Sequence, residues 1–250
     1  MVGDVSLGLG NDTYDGRGGT IDGIIFGGDG NDKLFSGSGD NEIHGDGGND
    51  QLMGGAGRDI LDGGSGTDRA MYTSATAGVT VHLSKPGLNT GDANGDTYTS
   101  IERVTGSDFD DKLTGNNSAN DLVGGEGDDV INGGLGNDTL SGGDGNDTFL
   151  FNTTLNASTN VDTIADFNVT DDRFQIDNAV FLGLSTGTLA STAFKANTTG
   201  NAGDASDRII YETDTGRLYF DADGNGAGAR VHFATINAGL SLTNADFVVI

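Results

Sequence analysis

The sequence predicts an all-β fold, a parallel right-handed solenoid in two blocks with a β-rich C-terminal cap. Three observations carry this. A nine-residue pattern runs five times without a gap from Gly27 to Met71: GGDGNDKLF, SGSGDNEIH, GDGGNDQLM, GGAGRDILD and GGSGTDRAM. It returns five times from Gly106 to Leu150, as GSDFDDKLT, GNNSANDLV, GGEGDDVIN, GGLGNDTLS and GGDGNDTFL. From Phe151 onward glycine thins out and ordinary strand patterns appear in VDTIADF, RFQI, RIIYE-TDTG-RLYF and RVHFATI.

The shared template is Gly-Gly-x-Gly-x-Asp-x-U-x, with U apolar. Glycines accept positive φ and close backbone approach, so six residues can turn tightly and aim carbonyl oxygens inward. The last three residues form a short strand whose middle side chain points inside. Those interior positions are Leu34, Ile43, Leu52, Leu61 and Ala70 in the first block. In the second they are Leu113, Leu122, Ile131, Leu140 and Phe149. Two nonapeptides then make one turn, and equivalent loops stack every eighteen residues. That register sets Asp32, Asp50 and Asp68 in one file and Asp111, Asp129 and Asp147 in another.

Stacked carboxylates repel one another, yet joined by loop carbonyls they form the hard-oxygen cage that calcium takes with about six to eight ligands. Magnesium prefers a smaller octahedral shell and keeps its waters. The candidate calcium carboxylates are Asp12, Asp32, Asp50, Asp59, Asp68, Asp111, Asp129, Asp138 and Asp147. Asn41 and Asn120 stand at the same position with a neutral amide oxygen, and weaker sites are expected there. The glycines expected to shape the cages and present carbonyls are Gly28, Gly30, Gly39, Gly48, Gly55, Gly57, Gly64 and Gly66. Gly125, Gly127, Gly134, Gly136, Gly143 and Gly145 match them in the second block. One apolar side chain per nine residues buries too little to order those nine residues. Calcium binding is therefore expected to be the folding reaction as well.

The organisation reads as a first block over residues 1–71, an insert over 72–105, a second block over 106–150 and a capping region over 151–250. The opening is irregular. LGLGNDTYD brings Asp12 and Tyr14 into register, but Gly18 to Phe26 places Gly23 where an aspartate belongs, which predicts a frayed or weak site. The chain opens almost inside a repeat, as expected of the C-terminal piece of a longer protein. Within the insert, GVTVHL (Gly78 to Leu83) and YTSIERV (Tyr98 to Val104) alternate and predict a hairpin-like element. Asp214-Thr215-Gly216 between alternating runs predicts a second hairpin.

Composition agrees with a calcium solenoid. The 250 residues include 45 glycines, no cysteine, no tryptophan and one proline, Pro86, with a formal net charge of -26. Only Glu42, Glu102, Glu126 and Glu212 are glutamates, so the acidic side chains are overwhelmingly the shorter aspartate that suits tight loops. Such charge argues against nucleic acid or an anionic membrane as a partner. No run of about 18 apolar residues predicts a membrane span, and the N-terminus has no secretory signal pattern. Without cysteine, extracellular calcium can act as the staple in place of disulfides.

The nonapeptides resemble those of the repeats-in-toxin (RTX) family. The tail resembles the C-terminal region of serralysin-type secreted proteins in VDTIADF, RIIYETDTGRLYFDADGNGAGA and the terminal NADFVVI. The resemblance implies a parallel β-roll with calcium between its loops and a tail read by a type I secretion apparatus. It implies an extracellular protein whose uncleaved C-terminal signal takes the form of Asp246-Phe247-Val248-Val249-Ile250. It carries over no catalysis: no HExxH occurs, and His44, His82 and His232 are scattered, so no enzyme activity is expected. Three readings follow. The first is a non-catalytic calcium-binding module secreted by a type I pathway. The second is an accessory module for an extracellular polysaccharide or surface, as the R-modules of mannuronan epimerases resemble it. The third is the C-terminal part of a secreted enzyme whose catalytic domain lies upstream.

Two other acidic loops read as turns. Asp221-Ala222-Asp223-Gly224-Asn225-Gly226 matches the first half of an EF-hand loop, but its twelfth position is His232 where a bidentate glutamate belongs. Gly91 to Asp96 reads the same way. The five tyrosines read as packing residues of strands.

Overall fold

The computed structural model of the chain describes residues 3–19 and 23–250. Among them, three sheets dominate, of five, twelve and seven strands. The long sheet starts with Thr13–Asp15, Lys33–Phe35, Gln51–Met53 and Arg69–Met71, each one turn above the last. The five-stranded sheet covers one flank with Val5–Leu9, Ile24–Asp29, Glu42–Gly47, Ile60–Asp62 and Thr97–Thr99. Farther along, Thr80–His82, Lys112–Thr114, Val130–Asn132, Thr148–Phe151, Arg173–Ile176 and Phe247–Val249 form the flank, with Gly187–Thr188 at the end.

The pairings between rungs are parallel, and within the two runs of nonapeptides they keep the eighteen-residue register. Leu34 pairs with Leu52 and Leu52 with Ala70 in the long sheet, while Ile43 pairs with Leu61 on the flank. In the second block Leu122 pairs with Leu140, and Leu113 with Ile131, which pairs with Phe149. All ten interior residues are fully buried. The three-residue strand explains this economy: one side chain per repeat can turn inward, and stacking the rungs joins these single residues into a continuous core.

The insert departs from expectation. Its two alternating runs do not pair with each other as a hairpin. Thr80–His82 pairs in parallel with Lys112–Thr114, and Thr97–Thr99 with Ile60–Asp62. Arg103–Thr105 lies between Arg69–Met71 and Asp121–Glu126, with Val104 opposite both Ala70 and Leu122. The rungs on either side offer open strand edges and an apolar file that needs continuation. Val81, Tyr98 and Val104 supply it, so the insert becomes irregular rungs and the two blocks share one long sheet.

The cap grows from the same sheets. Asp162–Ile164 extends the long sheet in parallel, and Val231–Thr235, Arg217–Phe220 and Ile209–Glu212 follow as an antiparallel run. The hairpin expected at Asp214-Thr215-Gly216 is present, with Glu212 opposite Arg217. Phe149, Phe174 and Phe247 continue the flank file into an aromatic cluster in which Phe174 stacks on Phe167 at 4.5 Å and on Phe247 at 4.7 Å.

Candidate metal centres

The loops that join the strands carry the expected carboxylates, and each uses one oxygen as a rung-to-rung hook. The amides of Asp12, Asp32 and Asp50 each donate to Oδ1 of the aspartate one turn on, at 2.7 Å. Asn41 and Asn120 donate likewise to Asp59 and Asp138, and Asp111 and Asp129 to Asp129 and Asp147. Position six therefore builds a ladder from rung to rung. All fourteen glycines expected at the cage have positive φ, from 86° at Gly55 to 152° at Gly57. Position one needs glycine for another reason: a Cβ on Gly45 would overlap Oδ2 of Asp50 and the carbonyl oxygen of Gly63.

The second oxygen of these side chains tests whether a cation fits. Among the described residues, Oδ2 of Asp12, Asp32, Asp50, Asp59, Asp68, Asp129, Asp138 and Asp147, and Oδ1 of Asn41, are buried without a hydrogen-bond partner. A buried, unpaired carboxylate oxygen costs several kcal/mol, of the order found for isolated buried ions, and proteins rarely leave one so, let alone in a row. Burial pushes Asp129 up to about 8, against the Asp111 amide that favours its charge, with Asp111 and Asp147 adding repulsion. Burial likewise takes Asp50, Asp59 and Asp147 up to about 6. Asp138 is raised by burial too, facing Asp162 across one rung. A bound divalent cation supplies the charge these oxygens lack, so the residues fit calcium. Among the described residues no three acidic or histidine side chains converge on one point. Main-chain carbonyls must then complete the shell, and the Gly63 carbonyl beside Asp50 Oδ2 is one so placed.

Three expected positions differ from the rest. Asp111 is saturated by protein donors: Oδ1 accepts from the Val79 amide at 2.7 Å and the Ser107 hydroxyl at 2.8 Å, and Oδ2 from the Ser107 amide at 2.5 Å. Beside Asn41, Ser36 replaces the position-one glycine, and its hydroxyl donates to the Gly54 carbonyl at 2.6 Å. In the other file Asn120 Oδ1 accepts from the Asn116 amide, and its Nδ2 donates to the Glu102 carbonyl. Of the weak site expected over Gly18 to Phe26, residues 20–22 lie outside the described residues.

Sequence reasoning missed the residues that prolong the ladder beyond the nonapeptides. The Asp59 amide donates to Asp96 Oδ1, Asp68 to Glu102 Oε2, Asp138 to Asp162 Oδ1 and Asp147 to Asp172 Oδ1. Asp96 thus lies in the file although the loop from Gly91 reads as a turn. The spacing to these residues is not eighteen, so periodicity could not reveal them. A second ladder at position five was legible as recurrent Asn or Asp: Asn49 donates its amide to Asn31 Oδ1, and Asp128 to Asp110 Oδ1. The EF-hand-like segment is a loop between Arg217–Phe220 and Val231–Thr235, where Asp223 Oδ2 accepts from the Gly228 amide and His232 turns to the Ala234 carbonyl.

Comparison with known proteins identifies the repeat. The model of the RTX calcium-binding nonapeptide repeat matches four times, at residues 17–52, 35–70, 96–131 and 114–149, the third match opening at Asp96 within the insert. No curated protein matches the chain. Among solved structures, the AlgE6R3 subunit of the Azotobacter vinelandii mannuronan C5-epimerase is similar at 27% identity, over 56% of this chain and 78% of that one, with a TM-score of 0.30. Over residues 17–70 and 96–149 the chain carries RTX calcium-binding nonapeptide repeats, and calcium is the ion its β-roll binds.

Proposed function

We propose that this chain is a non-catalytic module that leaves the cell unfolded through a type I secretion apparatus and folds outside on calcium, with the position-six side chains as ligands. The observation that carries the reading is the row of buried, unpartnered carboxylate oxygens, one for most rungs. At -26 the metal-free chain repels itself and stays expanded where calcium is scarce, which suits threading through a channel. His44, His82 and His232 lie on different sheets, which supports a role without histidine chemistry. No described helix is long and apolar enough to cross a membrane.

The tail bears on how export is tested. Phe247 and Val249 are buried and pair with Arg173–Ile176, so removing Asp246 to Ile250 strips a strand from the cap as well as the supposed signal. The cleaner test expresses the intact chain in a host with and without a type I transporter, then follows the purified protein by circular dichroism while calcium or magnesium is added. We expect the chain in the medium only with the transporter, and β signal gained cooperatively with calcium and poorly with magnesium. A full β spectrum in excess chelator would sink calcium-driven folding.

A second reading, adhesion to an acidic extracellular polysaccharide, has one observation in its favour. Lys33, Arg69 and Arg103 share one outward column of the long sheet, through Gln51, in a chain with only 12 basic residues.

A further inference from the structure

The ion sites do not stop where the nonapeptides stop. In regular rungs the space beside a position-one glycine is bounded by the position-six Oδ2 of the same repeat and the position-one carbonyl of the next turn. Asp32 and Gly45 do this at Gly27, Asp50 and Gly63 at Gly45, and Asp129 and Gly142 at Gly124. At Gly63 the turn above is the irregular rung, and no glycine stands eighteen residues on. The same space is nonetheless closed by Asp68 Oδ2 and the carbonyl oxygen of Ser100.

Ser100 reaches that place at φ 50°, one of two positive-φ non-glycine residues among those described. A serine held there is strained, and strain persists only where the surroundings over-determine it. Two residues on, Glu102 does what the next aspartate does elsewhere: its Oε2 accepts the Asp68 amide at 2.9 Å. The regular carboxylate follows its position-one residue by five residues and Glu102 by two, and the extra methylene of glutamate helps span the shortened loop. The amides of Glu102 and Arg103 both donate to the Asp68 carbonyl, which fixes the loop against the rung below.

Two of the other prolonging residues differ. Asp96 Oδ2 is taken by the Tyr72 hydroxyl at 2.7 Å, and Asp172 Oδ2 by the Asn168 amide at 2.8 Å. Among the described residues, only Oε2 of the Glu102 carboxylate is hydrogen-bonded, and Asp68 Oδ2 is buried with no partner at all.

We propose that Asp68, the Ser100 carbonyl and Glu102 form a calcium site at the junction of the first repeat block and the irregular rung, a site that no nonapeptide defines. The proposal rests on the reading of position-six carboxylates as ligands. It makes the insert a metal-bound splice that keeps the two blocks in register.

The test counts calcium on the full chain by native mass spectrometry and isothermal titration, for the wild type, Glu102→Gln and Asp50→Asn. Glutamine still offers an oxygen to the Asp68 amide, so the ladder survives while the charge is lost. We expect Glu102→Gln to hold about one calcium fewer, or to bind one ion about tenfold more weakly, with an unchanged calcium-saturated spectrum. If Asp50→Asn loses calcium and Glu102→Gln matches the wild type, the junction site is overturned and the position-six reading stands. If Asp50→Asn matches the wild type, the position-six reading itself falls. Should Glu102→Gln fail to fold, Glu102→Asp keeps the charge and withdraws it by one methylene. Weaker binding of one ion in that variant supports the site, and an unchanged count and affinity overturns it.

Discussion

The repeat rungs and the cap solve the same problem with opposite means. A rung orders nine residues around a single apolar side chain and leaves a buried carboxylate oxygen without a partner. The cap orders its strands around Phe167, Phe174, Phe181, Phe233 and Phe247, with Phe174 stacked on Phe167 at 4.5 Å and on Phe247 at 4.7 Å, and Phe181 edge-on to Phe233 at 5.1 Å. Its buried carboxylates are answered by main-chain donors, as Asp207 is by the Gly203 amide at 2.6 Å and Asp172 by Asn168. Aromatic burial is the larger hydrophobic term and needs no counter-charge. On the reading proposed above, dependence on metal is a local property of the rungs, which one shared sheet joins to the cap.

The largest test of that contrast removes the ion. Hydrogen exchange of the chelated protein should show the strands of residues 24–71 and 106–144 unprotected, while Ile209–Glu212 and Arg217–Phe220 keep most of their protection. Thr148–Phe151 should be intermediate, because it pairs with Arg173–Ile176 of the cap. Simultaneous loss in both regions would break the comparison and make the chain one cooperative unit.

Acid should partly replace calcium, a smaller effect. The metal-free rungs raise Asp129 to about 8 and Asp50, Asp59 and Asp147 to about 6, above the ordinary value of 3.8. A carboxyl with a raised folded value binds its proton more tightly folded than unfolded. Its contribution to the metal-free fold is full below about pH 4 and lost as pH rises through 6 to 8. Chelated protein should then gain β signal as pH falls from 8 toward 5, while the calcium needed for half-folding rises over the same range because protons compete for the same oxygens. A chelated spectrum that does not change between pH 8 and 5 would show that burial of these carboxylates does not govern the rungs.

Much of this contrast was legible because the rungs repeat. Position six, position eight and the positive-φ glycines follow from spacing alone, and the structure places Asp32, Asp50 and Asp68 in a single file as spacing required. What spacing could not show is how the file crosses the aperiodic insert. Glu102 and Asp96 replace an aspartate at separations of 34 and 37 residues, and the length of the loop, set by tertiary packing, decides which carboxylate arrives. The hairpin expectation for the insert failed for a related reason. Alternation identifies a strand but not its partner, and the neighbouring rungs offered parallel edges already in register. Asp111 shows the converse limit, a template aspartate whose oxygens a local Ser107 satisfies.

The finest test converts one protein-filled rung into a metal-filled one. At Ser36 and Asn41 the space is closed from within: the Ser36 hydroxyl donates to the Gly54 carbonyl at 2.6 Å, and the Asn41 side-chain Nδ2 donates to Asp59 Oδ1 at 3.2 Å. Protons thus stand where calcium would draw the same oxygens together. Asn41→Asp alone adds a carboxylate next to Asp59 while the hydroxyl still holds Gly54. It should weaken the metal-free rung and gain little calcium. Ser36→Gly with Asn41→Asp restores the template and frees the carbonyl, so the double variant should bind about one more calcium ion than the wild type and need more calcium to fold. The two changes should be strongly non-additive, because they act on one cage. Calorimetric counts on the wild type, both single variants and the double variant settle it. An unchanged count in the double variant would mean that the rung cannot open into a cage, and that the contrast between protein-filled and metal-filled rungs is set by backbone spacing and not by these two side chains.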